Sequence, residues 1–290
     1  MKFLILGCNG MAGHTIAMYL SEHGHNVLGF DRCKSKIVKS VTGDARDTDM
    51  LKKLIQEGKF DSVINCIGIL NQFAEKDHAL AVFLNSYLPH FLAEVTKNLE
   101  TQIIHMSTDC VFSGKRGEYT EDDFRDGETF YDRSKALGEL DDEKNITLRN
   151  SIVGPDINPK GIGLFNWFMN NTASGKKQHH LNGYTKTMWT GQTTLQLAKT
   201  MEVAARSKAN GLYNTVPDHS ISKYDLLQLF NNFFRDGEVE VCPVDGLNVN
   251  KSLKRTKYNF NYLIPDYEVM VKELAEWTIR YKNLYSYYAL

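Results

Sequence analysis

Residues 1–31, MKFLILGCNGMAGHTIAMYLSEHGHNVLGFD, decide the fold. Phe3, Leu4, Ile5 and Leu6 form a short unbroken apolar run, the pattern of a strand buried on both faces. Gly7, Asn9, Gly10 and Gly13 follow at once. Ile16, Ala17, Tyr19 and Leu20 then recur at helical spacing, and Gly24 marks the helix end. A second apolar run, Val27 to Phe30, closes on Asp31. Strand, glycine turn, helix, strand and acid in this order favour a dinucleotide over a plain βαβ unit. Gly7 allows the tight turn. Gly10 lets backbone N–H groups approach a pyrophosphate with no Cβ in the way, and Gly13 lets the helix pack close to the strand. The helix N-terminus adds unpaired donors and a partial positive charge. Asp31 can accept both hydroxyls of the adenine ribose.

Composition sets the bounds. The 290 residues are 42% hydrophobic and 24% charged, enough for one large domain or two modest ones. A net charge of −1 offers no basic field for nucleic acid or an anionic membrane. No apolar stretch reaches membrane-spanning length, and the chain starts directly on a strand, without the pattern of a signal peptide. Five scattered cysteines do not make a disulfide framework and fit a reducing cytoplasm.

Further along, residues 38–41 suggest a third strand ending at Gly43-Asp44, and 47–57 a helix. The next strand runs over 61–65 and leaves through Asn65-Cys66-Ile67-Gly68. Residues 75–98 read as one long helix, 102–106 as a strand, and 115–129 as a polar, mobile loop. A helix opens at Phe130 and runs through Leu140, and a sixth strand covers 146–148. Strands alternating with helices predict an α/β fold, a doubly wound parallel sheet of Rossmann type. Beyond Asn150 the pattern is mixed. Helices are expected over 164–171, 193–205, 223–234 and 266–281, and strands over 211–216 and 239–241. The expected division is a dinucleotide-binding domain over 1–151, rejoined by 190–210, and a smaller mixed α/β substrate lobe over 152–189 and 211–290. The tyrosine-rich tail 281–288 reads as packing, with a homodimer contact as the second reading.

Three residues carry the candidate chemistry: Thr108, Tyr131 and Lys135. Tyr131 and Lys135, four apart on a helix, share a face. A lysine there, with the cationic nicotinamide of an oxidised cofactor, would lower the phenol pKa from about 10 toward the working pH. Such a tyrosine can exchange a proton with a carbonyl oxygen. Thr108, at a strand end, can hydrogen-bond the same oxygen. About one Tyr-x-x-x-Lys is expected by chance in a chain this rich in both, so position carries the weight.

The Gly-x-x-Gly-x-x-Gly spacing resembles the extended short-chain dehydrogenase/reductase superfamily. Ser107-Thr108-Asp109-Cys110-Val111-Phe112-Ser113-Gly114 closely resembles the S-T-D-Y-V-F-x-G signature of dTDP-4-dehydrorhamnose reductases. The resemblance implies an NADPH- or NADH-dependent reductase of a nucleotide-linked 4-keto-6-deoxy sugar. It extends the cofactor contacts to Met11, Arg32, Asp44, Ala45, Cys66, Ile67 and Gly68, beside Gly7, Asn9, Gly10, Gly13, Asp31, Tyr131 and Lys135. It assigns substrate contacts to Asp109, Val111, Phe112 and Trp189, and makes Asn85 a structural support of the active site. Asp31 favours NAD, while Arg32, Lys34 and Lys36 could hold the 2′-phosphate of NADP or simply face solvent. Cys110 stands where sugar-nucleotide dehydratases carry a catalytic glutamate, which weakens that reading. A sugar-nucleotide epimerase and a non-catalytic regulatory subunit remain as alternatives. Thr15 replaces an acidic magnesium ligand of some family members, and the histidine pairs 23/25 and 179/180 lack visible partners, so no metal is expected. Residues 182–194 replace the family's D-Q-x-G-x-P-T stretch, which suggests a different sugar, first a UDP-linked 2-acetamido-2,6-dideoxy-hexos-4-ulose. Tyr184, Trp189 and Trp167 offer rings that could stack on it or pack the lobe.

Overall fold

The computed structural model describes residues 1–173, 180–260 and 262–290. The opening strand, β1 (Lys2–Leu6), is buried from Phe3 to Leu6 and lies inside a seven-stranded sheet. The turn after it needs its glycines. Gly7 has φ +78°, and a Cβ on Gly13 would stand 2.0 Å from the Gly7 carbonyl oxygen. Helix α1 (Met11–Glu22) starts there, with Gly10 as an N-cap that offers no side-chain hydrogen bond. β2 (Asn26–Asp31), β3 (Ser40–Thr42), α2 (Thr48–Gly58) and β4 (Ser62–Asn65) follow. The Asp47 carboxylate caps α2 by accepting from the Met50 N–H.

The long helix expected over 75–98 is divided. It consists of α3 (Asn71–Lys76), α4 (His78–Ala81), a π-helical turn (Val82–Tyr87) and α5 (Leu88–Thr96). Asp77 breaks it first, because its side chain accepts from the Leu80 N–H and so restarts the helix. Pro89 has no N–H for the Asn85 carbonyl, and the turn before it widens to the π form. Asn85 is buried here. Its side chain accepts from the Ile69 N–H (2.9 Å) and donates to the Ile69 carbonyl (3.0 Å) and to Ser134 Oγ (3.0 Å).

β5 (Gln102–Ser107) leads to α6 (Phe130–Leu137), which opens on a capping box between Thr129 and Asp132. α6 ends at Leu137, three residues before the expected Leu140, with Gly138 as its C-cap. The segment 115–129 is anchored rather than loose. Tyr119 N–H donates to the Ser252 carbonyl, and buried Glu121 accepts from the N–H groups of Asn214 (3.1 Å) and Thr256 (3.0 Å).

β6 (Ile146–Arg149), β7 (Ser151–Val153) and α7 (Leu164–Asn171) come next. β8 (His180–Tyr184), β9 (Thr187–Trp189) and β10 (Gly191–Thr193) lead into α8 (Thr194–Ser207), which packs on α1. The chain then forms β11 (Gly211–Asn214), β12 (Ile221–Ser222), α9 (Lys223–Phe234), β13 (Glu240–Val244), β14 (Val249–Asn250) and α10 (Tyr267–Arg280). The main sheet is parallel throughout, in the order β11-β6-β5-β4-β1-β2-β3, and is Rossmann-like. Residues 211–214 therefore belong to this sheet and not to the smaller lobe. The crossover through α8 delivers β11 parallel to β6. Smaller sheets, β12-β9-β14, β8-β13 and β7-β10, complete the structure.

The tail forms a 3₁₀ segment (Lys282–Tyr288) with Tyr285 and Tyr288 fully buried. The Tyr285 hydroxyl meets His14 Nε2 at 2.8 Å, and the Tyr288 hydroxyl accepts from the Asp156 N–H at 2.9 Å. These rings are internal packing of the chain's own core. No described helix is long and apolar enough to cross a membrane.

α6 and the π turn touch backbone to backbone. A Cβ on Gly138 would lie 1.8 Å from the Asn85 carbonyl oxygen. Gly138→Ala should therefore cost about 2 kcal/mol through overpacking, measured by urea unfolding. An unchanged midpoint would contradict this contact.

Candidate active site

Two adjoining cavities, of about 330 and 540 Å³, open at the carboxyl ends of the central strands, where the chain order reverses between β1 and β4. Gly10, Cys66, Ile67 and Gly68 line both. Gly7, Asp31, Arg32, Asp44 and Ala45 line the first, and Met11 the second. Gly13 and Asn9 line neither. Gly13 packs on Gly7, while Asn9 donates its N–H to Asp31 Oδ2 (3.1 Å) and its amide to the Cys33 carbonyl (2.9 Å). Asn9 thus ties the glycine turn to the end of β2.

The first cavity also contains Arg46, which the sequence reading missed. Its guanidinium forks onto Asp44, with Nε donating to Oδ1 at 3.0 Å and the other arm to Oδ2 at 2.6 Å. Those hydrogen bonds hold the Asp44 carboxyl down at about 2. Arg46 follows the Gly43-Asp44 turn by two residues, so its place beside the turn was the available signal.

Thr108, Asp109, Tyr131 and Lys135 meet in the second cavity. All four are buried. Thr108 Oγ1 donates to Asp109 Oδ1 (3.1 Å) and accepts from the Cys110 N–H (3.1 Å). Tyr131 and Lys135 share one face of α6, as their spacing requires. Burial pushes the Tyr131 phenol up, Cys110 and Asp109 add to the rise, and only the Thr108 hydroxyl favours its ionised form. Lys135 is turned aside, its Nζ donating to the Met106 carbonyl at 2.7 Å. Burial likewise raises Asp109, and pushes the Cys66 and Cys110 thiols up to about 12. Both cysteines therefore stay as neutral thiols.

His105 is a second residue that sequence reasoning passed over. It lies fully buried beneath the site, with Nδ1 3.2 Å from Asn65 Nδ2 and Nε2 3.5 Å from Lys135 Nζ. Burial, reinforced by the Lys135 charge, drives its pKa well below the usual value, so the ring stays neutral. A polar ring inside the apolar run Ile103-Ile104-His105-Met106 was the signal. The segment after β7 also contributes Asn158, Lys160 and Ile162 to the second cavity. Its glycines and prolines marked a loop at the sheet's carboxyl edge.

Val111, Phe112 and Trp189 do not line either cavity. Phe112 is fully buried, stacked on Tyr119 (centroids 4.3 Å) in a small core shared with Val111 and Leu253. Trp189, in β9, packs against Tyr267 at 5.6 Å in the main core. The family resemblance assigned them to the substrate, but their side chains lie in the core. No residue of 182–194 lines the cavities either. Trp167 and Tyr184 are partly exposed and also lie outside both.

Thr15 is buried beside His14, its Oγ1 3.4 Å from Nε2. His25 pairs with Glu202 at 2.9 Å, and His23 stacks on Tyr19. His179 lies outside the described residues. His180, for which the sequence shows no partner, is brought beside Glu240 and Cys242 by the β8–β13 pairing.

Fold and site together define a doubly wound α/β protein with its cavities at the switch point of the sheet. The chain belongs to the family of the RmlD substrate binding domain, whose pattern matches residues 1–280. It is 27% identical over 252 residues to a dTDP-4-dehydrorhamnose reductase of Aggregatibacter actinomycetemcomitans, covering 84% of this chain and 83% of that one. It is 33% identical over 143 residues to the probable low-salt glycan biosynthesis reductase Agl14 of Haloferax volcanii, covering 48% of each chain. Against most of its curated relatives the chain spans about half of their length. Among solved structures it is similar to a dTDP-4-dehydrorhamnose reductase of Bacillus anthracis in complex with NADP. That match has a TM-score of 0.80 and 20% identity, and covers 96% of this chain and 99% of that one.

Burial brings the Lys135 ammonium down to about 8. An unfolded lysine titrates near about 10.4, so between these values the unfolded chain binds the extra proton. Stability should rise with pH across that window. Lys135→Met removes the buried charge. At about pH 7 it should recover up to about 3 kcal/mol of burial penalty, less the lost hydrogen bond to Met106. The gain should shrink as pH rises through the window. Urea unfolding at both ends measures it, and a pH-independent difference would contradict the burial of a charged Lys135.

Proposed function

We propose that this chain is an NAD(P)H-dependent reductase of a 4-keto-6-deoxy sugar carried on a nucleoside diphosphate, with a product that feeds a surface polysaccharide. The observation that carries this reading is the meeting of Thr108, Tyr131 and Lys135 in a cavity continuous with the glycine turn. The dinucleotide fits the first cavity on two counts. The α1 N-terminus has no side-chain cap, so its N–H groups stay available to a pyrophosphate. A Cβ on Gly10 would meet only the Gly7 carbonyl, at 3.3 Å, and so would stand where the two cavities join. Asp31 would accept from the adenine ribose, Arg32 and Arg46 would meet a 2′-phosphate, and Lys135 would hold the nicotinamide ribose.

The bound cofactor supplies hydride to the C4 carbonyl carbon. Tyr131 is the proton donor to the C4 oxygen. Burial keeps the proton on the phenol in the resting site and makes it a weaker acid, so a nicotinamide that turns cationic as hydride leaves would have to ease its release. Thr108 Oγ1 orients the same oxygen. Cys110 holds its proton too firmly to act as the second acid or base that a dehydration needs. Lys160, on the 156–163 loop that lines the second cavity, would meet the substrate diphosphate. We assign substrate binding to that loop within a smaller lobe of residues 152–189 and 215–290. Because 182–194 lines neither cavity, it gives no ground for a UDP-linked sugar. dTDP-4-dehydrorhamnose, the substrate named for several relatives, is the first to assay.

Tyr131→Phe should reduce kcat by at least about 10²-fold, the usual span of a positioned proton donor, while leaving NADPH affinity close to wild type. Turnover within a few-fold of wild type would remove Tyr131 from the mechanism. The cofactor end makes a separate claim. Asp31 repels a 2′-phosphate that Arg32 and Arg46 attract, so both NADH and NADPH should serve. Arg46→Ala should raise KM for NADPH several-fold more than for NADH, and Asp31→Ala should shift preference toward NADPH. Equal changes for the two cofactors, measured by steady-state kinetics, would show that these charges do not read the phosphate.

A further inference from the structure

β8 and β13 pair in parallel with Glu240 directly opposite His180. Leu181 and Val241 turn inward to the core, so alternation sends His180, Glu240 and Cys242 to the other face. Their donor atoms converge. His180 Nδ1 lies 3.3 Å from Cys242 Sγ and 3.7 Å from Glu240 Oε2, and Cys242 Sγ lies 3.7 Å from Glu240 Oε1. With Zn–S about 2.3 Å and Zn–N or Zn–O about 2.0–2.2 Å, neighbouring ligands of a tetrahedral zinc stand about 3.4–3.6 Å apart. The His180–Cys242 separation is close to a tetrahedron edge; Glu240 approaches each of the two with a different carboxylate oxygen, and with one ligand atom per residue all three lie within 4.8 Å of one another. Among the described residues, no other group of three such side chains has its donor atoms this close.

We propose that His180, Glu240 and Cys242 form a zinc site, with the fourth position open to water. Imidazole, thiolate and carboxylate together suit zinc, whereas magnesium and calcium take oxygen ligands. Two residues from β13 and one from β8 make the ion a clasp between the strands. None of the three lines the cavities of the candidate active site, so the ion is separate from the reduction chemistry. Cofactor and substrate turnover should not depend on it.

Cobalt(II), which takes zinc sites and reports thiolate ligation in the near ultraviolet, is the probe. Titrating CoCl₂ into the full, tag-free chain should give a thiolate-to-cobalt charge-transfer band that saturates at one equivalent and bleaches when ZnCl₂ is added. Cys242→Ser should abolish the band, His180→Ala should weaken cobalt binding at least about tenfold, and Cys33→Ser, which alters another surface thiol, should leave both unchanged. Absence of the band in the wild-type chain would overturn the site. So would its persistence in Cys242→Ser, or equal affinity in His180→Ala.

Discussion

The contact between Gly13 and the Gly7 carbonyl oxygen sets the geometry on which the rest depends. Any side chain at Gly13 would collide with backbone. Only with that contact closed does α1 lie against β1 and aim its uncapped N-terminus at the crevice. α8 in turn packs on α1, and the crossover through α8 brings β11 to the sheet edge. The tail closes the same stack by setting Tyr285 against His14. Asn9, by holding Asp31, joins this turn to the acid at the end of β2.

Desolvation governs the chemistry of the second cavity. Tyr131, Lys135, Asp109, Cys66, Cys110 and His105 are all shifted toward their neutral forms by burial. A site of this kind stores protons on the phenol and thiols. It offers few fixed charges to compete with an incoming anionic cofactor. The contrast with the first cavity is physical: there the Asp44–Arg46 pair lies open to solvent, and the Arg46 hydrogen bonds hold the Asp44 carboxyl down at about 2. The proposed division of labour follows from these two dielectric environments.

The sheet was legible because buried parallel strands read as apolar runs, and the glycine turn between β1 and α1 has steric requirements that glycine alone meets. The meeting of Thr108, Tyr131 and Lys135 was legible because helical spacing and strand ends fix direction. Other features depend on partners distant in sequence. Pro89 and Asp77 break a periodic helix through backbone hydrogen bonds that periodicity does not register. Trp189 and Phe112 could have faced ligand or core, and only the packing of Tyr267 and Tyr119 decides. The direction of Lys135 depends on the Met106 carbonyl and on His105, not on Tyr131. His180 gained its neighbours from a strand some sixty residues later, through a register that no local pattern reveals.

The central claim is hydride transfer to C4 of a nucleotide-linked keto sugar, with a proton from Tyr131. It is tested most directly by turning over dTDP-4-dehydrorhamnose with NADPH deuterated at the transferable position and examining the product by NMR and mass spectrometry. The account predicts one deuterium per product sugar, located at C4, with NADPH consumed in equal amount. No deuterium in the sugar, or deuterium at a different carbon, would contradict it.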